Sequence, residues 1–198
     1  APQNISAYLG AKRCILHTGN LEVLEKFILQ LQRVRRDIRF QVDLAEIDFL
    51  RGNEKTAVAR WDKILVENAK DHQAYSLIGS LYQQYNMSEN AIKTYKKARE
   101  SFKDQRLFIF ELAAIYMTID HYAEMVFEYL NYLNHNKSQL SFIDSRIAAA
   151  EKTEKAREEI AQALQTVLKN QKGNEFSIFQ LFLNFIFKPL RCGRSTHH

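Results

Sequence analysis

The chain has 198 residues, 46% of them hydrophobic and 26% charged, which excludes a disordered segment and provides for a substantial buried core. Its formal net charge of +5 is modest, and six glycines and two prolines leave no flexible linker, so one continuous domain over residues 1–190 is expected. The longest apolar-rich stretch, Phe176 to Phe187, is interrupted by Ser177, Gln180 and Asn184 and falls well short of the ~20 apolar residues that span a bilayer.

Apolar residues recur at helical spacing with no useful period-two run, so an entirely helical fold is expected. Ile5 to Thr18 and Leu21 to Val34 read as a helix pair turning at Gly19-Asn20, a degenerate unit at about 4–37. Three stretches then superpose with a period of 34 residues, at 38–71, 72–105 and 106–139. The large–small pairs Leu44-Ala45, Ile78-Gly79 and Leu112-Ala113 align, and the small member predicts close approach of the unit's first helix to its neighbour. Asp48, Tyr82 and Tyr116 follow, then Gly52, Asn86 and Asp120, residue types that tolerate the left-handed conformation of a helix C-cap. Ala57, Ala91 and Met125 form the next column. Trp61, Tyr95 and Tyr129 come after it and are predicted to fill the gap between helices. Ile64, Ala98 and Tyr132 close the register. The second helices are predicted from Glu54 to Val66, Ser88 to Phe102 and His121 to Leu133, with Ser88 as an N-cap.

Downstream, Leu140 to Ala150 and Glu154 to Lys169 read as a degenerate pair at about 140–173, followed by a terminal helix at 174–188. A period of this length with a helix–turn–helix pattern predicts an all-α fold, a right-handed α-solenoid of stacked antiparallel helix pairs. About five pairs and a terminal helix are expected, each unit burying a face only by stacking on its neighbours.

These columns resemble the tetratricopeptide repeat (TPR) family. Residues Tyr75, Ile78-Gly79, Tyr82, Ala91, Tyr95 and Ala98 carry the resemblance in the best unit. Leu44, Ala45, Ala57 and Trp61 carry it at 38–71, and Leu112, Ala113, Tyr116, Tyr122 and Tyr129 at 106–139. Two columns depart: Met125 replaces a small residue, and the proline usual near the end of a repeat is absent. The resemblance implies a concave binding face lined by each unit's first helix. By register that face comprises Arg39, Val42, Asp43, Glu46 and Phe49, then Gln73, Ser76, Ser80, Gln83 and Gln84, then Phe110, Glu111, Ala114 and Met117. Leu50, Leu77, Leu107 and Thr118 border it, Leu50 and Leu107 being expected to pack inside. One family mode clamps a chaperone's carboxylate tail with basic and amide side chains. The matching positions here are Val42, Glu46, Leu77, Leu107 and Glu111, none of them basic, so that mode is disfavoured. The implied groove is mixed, with apolar anchors and amides suited to an extended or helical peptide.

Residues 191–198 read as a cloning scar leading into a polyhistidine tag, which sets aside Cys192, His197 and His198. Cys14 then remains, expected as a buried structural thiol on an apolar helix face. The start at Ala-Pro-Gln, without methionine, reads as a removed leader or a trimmed chain. Of these, an exported, periplasmic bacterial protein is the expectation adopted over a cytoplasmic one.

Catalytic chemistry finds no foothold. His17, His72, His121 and His135 are scattered at helix ends with no partner at ligand spacing, and the glycines form no phosphate-binding loop. No cofactor, no metal site and no catalytic residue are expected. Arg33, Arg35, Arg36 and Arg39 form one basic cluster, and Lys93, Lys96, Lys97 and Arg99 another. Without stacking aromatics between them they read as solvated faces, so nucleic acid is disfavoured as a partner.

The terminal helix, from Phe176 to Phe187, is apolar on nearly all sides and should be buried. Either further repeats cover it or a second copy does, in a two-fold dimer through Phe176, Phe179, Phe182, Leu183 and Ile186. Three functions follow in order of fit. The first is a non-enzymatic scaffold holding a protein or peptide partner in the concave groove. The second is an RNA- or anionic-polymer-binding repeat, and the third a module self-assembling through the last helix.

Overall fold

The structure, a computed structural model, describes residues 5–170 and 175–187, except the side chains of 170, 175–178, 182 and 187. Eleven α-helices occupy the described residues, with no strand among them. They are α1 (Ile5–Thr18), α2 (Leu21–Val34), α3 (Ile38–Leu50), α4 (Glu54–Glu67), α5 (His72–Gln84) and α6 (Ser88–Phe102). The series continues with α7 (Ile109–Thr118), α8 (Tyr122–His135), α9 (Leu140–Ala150), α10 (Glu154–Asn170) and α11 (Glu175–Phe187). The chain divides into two compact units, Ala1–Asp104 and Gln105–His198. In the described residues no helix is long and apolar enough to cross a membrane.

The repeat is visible in the helix starts. Helices α4, α6 and α8 begin at Glu54, Ser88 and Tyr122, each 34 residues after the last. Their partners α3, α5 and α7 pack against them as hairpins. Each first helix ends the same way. Gly52, Asn86 and Asp120 have φ of 84°, 57° and 59°, and the following amides, of Asn53, Met87 and His121, donate to the carbonyls of Asp48, Tyr82 and Tyr116 at 2.9, 2.8 and 2.8 Å. This six-to-one closure satisfies a carbonyl that the helix itself leaves open. Gly19 repeats the left-handed turn after α1, at φ 71°.

Burial follows the predicted columns. In unit 1 Ala45, Ala57, Trp61, Ile78, Ala91, Tyr95 and Ala98 are at most 1% exposed. Trp61 Nε1 also donates to the Val42 carbonyl at 3.1 Å, tying α4 to α3. The closest approach is in the second hairpin. A Cβ built on Gly79 would lie 2.8 Å from Tyr95 Oη and closer still to the ring carbons Cε1 and Cζ. Hydrogen is therefore the only side chain that fits. In unit 2 Leu112, Ala113, Met125 and Tyr129 are buried, so Met125 is absorbed where the other two repeats have alanine.

Several expectations are corrected. Helix α7 starts at Ile109, three residues behind the 34-residue register, because Phe108 adopts a left-handed conformation at its N-cap (φ 56°). Ser88 is the first residue of α6 and not its cap; Met87 holds that place without a side-chain hydrogen bond. Helices α9 and α10 form at the expected positions but not as a tight hairpin: α10 packs against α8 and α11, and α9 against α8 and α11. Ala156, Ile160, Ala163, Leu164 and Val167, all buried, make the α10 stripe that dictates this packing. Cys14 is exposed, because α1 packs Tyr8, Ile15 and Leu16 on the core instead.

Gly79→Ala is expected to destabilise the fold by about 1–3 kcal/mol, the usual cost of overpacking, despite alanine's higher helix propensity. Gly10→Ala on α1, where nothing lies within 4 Å of the added Cβ, should instead stabilise by up to about 1 kcal/mol. Urea denaturation of the two variants tests the opposite signs.

Candidate functional site

The first-helix face of unit 1 is built from α1, α3 and α5, and its centre is occupied from within. Tyr8 and Lys12 on α1 stand 34 residues before Val42 and Glu46, so they hold the equivalent places of the preceding unit. Lys12 Nζ donates to Asp43 Oδ1 at 2.7 Å and also to Glu46 Oε2. Tyr8 Oη donates to Asp43 Oδ2, and Tyr85 Oη to Glu46 Oε1 at 2.7 Å. One cation and two phenols thus satisfy two carboxylates whose side chains are only 6% and 3% exposed. A buried carboxylate without such partners would be strongly unfavourable.

Titration behaviour reflects this enclosure. Burial pushes the Lys12 ammonium down, but the charges of Asp43 and Glu46 and their hydrogen bonds outweigh it, so its pKa is raised. Burial raises the Tyr8 phenol, and Asp43 raises it further. Tyr85 is raised by burial and then by Glu46. All three groups keep their protons in the native state beyond the pH at which an unfolded chain would release them.

The side chains expected to line the groove therefore divide. Val42, Asp43 and Glu46 are buried and are not open to a partner, a correction caused by α1 lying against α3. Arg39 is 15% exposed, 3.8 Å from Asp37, and its Nη1 is buried without a hydrogen-bond partner. Phe49 is half-buried, its ring 4.4 Å from Tyr85 and 5.9 Å from Trp61. Gln83 is half-buried and donates to Tyr95 Oη at 2.8 Å. Gln73, Ser80 and Gln84 are exposed and Ser76 half-buried. Leu50, expected inside, is 37% exposed.

In unit 2 the corresponding face is open. Phe110 is 38% exposed, Glu111 and Ala114 are exposed, and Met117 and Leu107 are half-buried. Phe110 meets the edges of Tyr132 at 4.8 Å and Phe142 at 5.8 Å, and Arg146 lies over the Phe142 ring at 5.1 Å. Phe142 and Arg146 were not singled out in the sequence, since α9 lies beyond the clear repeats. Tyr8 and Lys12 could have been found by extending the 34-residue register upstream.

On α11, Leu181 and Phe185 are buried where the helix packs on α9 and α10. Phe179 and Ile186 are 49% and 45% exposed, and Leu183 is half-buried. The side chains of Phe176 and Phe182 lie outside the described residues, as do residues 191–198. The basic clusters are smaller than the sequence implies: Arg39 and Arg99 are largely buried, and Arg35 stands 3.4 Å from Asp37. The column aromatics Trp61, Tyr82, Tyr95, Tyr116 and Tyr129 are buried. His17, His72, His121 and His135 are exposed at helix ends, and no group of metal-ligating side chains occurs among the described residues.

The described helices form hairpins that repeat every 34 residues. No family model and no curated protein matches the chain. Among solved structures it is similar to MamA, at 12% identity over 88% of this chain and 92% of that one, with a TM-score of 0.44. A tetratricopeptide repeat protein from Parabacteroides merdae ATCC 43184 shares 13% identity over 92% of this chain and 72% of its own, at a TM-score of 0.49. A structure of Naa15/Naa10 bound to HypK-THB shares 17% identity over 91% of this chain and 33% of its own, at 0.46. At these identities and scores the likenesses carry no argument about function. The helical-repeat architecture rests on the repeat columns and on the hairpins that realise them.

Replacing Lys12 by Met should cost about 3 kcal/mol, because two buried carboxylates lose their cation. The wild-type chain should also lose stability above about pH 10. Tyr8, Tyr85 and Lys12 all have pKa values raised above ordinary ones of 10.0, 10.0 and 10.5. Their contribution is therefore full below those values and is lost as pH rises through the native ones. Urea midpoints measured from pH 8 to 11 on both proteins test this; a flat wild-type profile would contradict it.

Proposed function

We propose that this chain is a protein-interaction scaffold that holds a peptide or protein segment against the first-helix faces of its hairpins. The observation that supports it best is on α7. Phe110, Ala114 and Met117, spaced i, i+4 and i+7, form an accessible stripe on a helix otherwise buried through Ile109, Leu112, Ala113, Ile115 and Tyr116. Apolar anchors at this spacing receive side chains from an extended or helical segment. In unit 1 the exposed Gln73, Ser80 and Gln84 supply hydroxyl and amide groups suited to a peptide backbone. The carboxylates expected there contribute no recognition, being buried and hydrogen-bonded within the unit.

A second reading, self-association through α11, is favoured by Phe179 and Ile186. Two large apolar side chains seven residues apart share one helix face, with half-buried Leu183 between them. A two-fold dimer would bury that stripe against its copy.

The scaffold reading predicts that Ala114→Arg, and to a lesser degree Ser80→Arg, reduces capture of partner proteins at least about tenfold. Both sites are exposed, so folding stability should stay within about 0.5 kcal/mol of wild type. Quantitative affinity capture beside thermal melts checks both parts. For self-association, sedimentation should give a dimer for the wild type and a monomer for Phe179→Asp/Ile186→Asp; a wild-type monomer at high concentration would remove that reading.

A further inference from the structure

We propose that the aromatic face of unit 2, formed by Phe110, Tyr132 and Phe142 with Arg146, docks a partner segment carrying an aromatic side chain beside a carboxylate. This inference rests on the scaffold reading and names the chemistry of its partner. Three helices contribute the rings: Phe110 from α7, Tyr132 from α8 and Phe142 from α9. Their contacts are edge-on, with interplanar angles of 61° and 76°. Edge-on packing leaves ring faces unstacked, and Phe110 and Phe142 remain 38% and 39% exposed although they touch. Anchoring on separate helices sets the rings in place before a ligand arrives, so little ordering entropy opposes binding. A further aromatic ring fits such a platform at the offset or edge-to-face separations that aromatic pairs adopt.

Arg146 supplies the polar half of the site. It is one turn beyond Phe142 on α9 and lies over that ring at 5.1 Å, an arrangement that orients the planar guanidinium and leaves its in-plane donors available. Its charge also acts on the Tyr129 phenol, opposing the rise that burial causes there. Neither ion pair described for unit 2, His121–Glu124 or Lys155–Glu159, involves it. An exposed guanidinium held over an aromatic ring, at the margin of an open aromatic platform, complements a carboxylate adjoining an aromatic anchor.

A random 12-residue peptide library displayed on phage, selected against the whole chain, tests this. The expected pool shares an aromatic residue next to Asp or Glu. Its members should lose about tenfold or more in affinity with Arg146→Glu and retain part of it with Arg146→Lys. Phe142→Ala should weaken the same peptides, and Lys55→Ala at an exposed position of α4 should leave them unchanged. Because Arg146 is exposed, its variants keep the test valid even where Phe142→Ala perturbs folding. Enriched peptides without a carboxylate, or ones unaffected by Arg146→Glu but lost with Ala114→Arg or Ser80→Arg, would overturn this inference and leave the scaffold reading standing. Failure to enrich any peptide would count against both. A concentration-dependent dimer abolished by Arg146→Glu would assign the face to a second copy, and salt-sensitive RNA binding lost with the same variant would assign it to an anionic polymer. Either result overturns the proposal.

Discussion

Close approach of the two helices within each hairpin is the constraint on which the remaining structure depends. It is tightest where Gly79 meets the Tyr95 ring, leaving no room for a Cβ. Ala45 and Trp61, and Ala113 and Tyr129, hold the corresponding places with a small residue and a ring, all buried. A small residue on one helix and a large ring on the other bring the backbones together while burying some 150–250 Å² of aromatic surface. Helices joined this closely need a short reversal. The left-handed residues at Gly52, Asn86 and Asp120 provide it, each followed by the same six-to-one hydrogen bond. Packing and turn chemistry thus agree at every unit, which is what makes the period persist.

The hairpins determine which side chains remain for recognition. In unit 1 the packing of α1 beside α3 withdraws Asp43 and Glu46 from solvent, and the protein answers with Lys12, Tyr8 and Tyr85. Two carboxylates with one ammonium leave a net negative charge locally, and the phenols disperse it by donating hydrogen bonds. That face keeps hydroxyls and amides for contact. In unit 2 the aromatic side chains of Phe110 and Phe142 reach the surface beside Arg146. The two units therefore present different chemistry from one repeated architecture, polar on one and aromatic with a cation on the other.

Much of the fold is legible in the sequence. Periodicity placed the starts of α4 and α6 and the turns between hairpins, because each depends on a few neighbouring residues: a small side chain, an aromatic, a residue tolerant of positive φ. What failed did so where a distant element intervened. Cys14 is expected on a buried face, but α1 packs Tyr8, Ile15 and Leu16 on the core and leaves the cysteine exposed. Arg39 and Arg99 were read as members of charged surface runs, yet packing withdrew both from the surface. The pairing of α9 with α10 was inferred by extending the period, whereas the apolar stripe of α10 found better partners in α8 and α11.

Local residue chemistry was enough to specify a series of helical hairpins, their 34-residue spacing and the turn at the end of each first helix. Those features depend on helical period and on backbone conformations that neighbouring side chains allow. Accessibility was another matter. Whether Glu46 faces a partner or Lys12, and whether Phe110 is covered or meets Phe142 at the surface, depends on residues 34 and 32 positions away in the chain. Burial is a property of the assembled unit, since a side chain loses water only when another element arrives to displace it. The face that can bind is accordingly what the packing left uncovered.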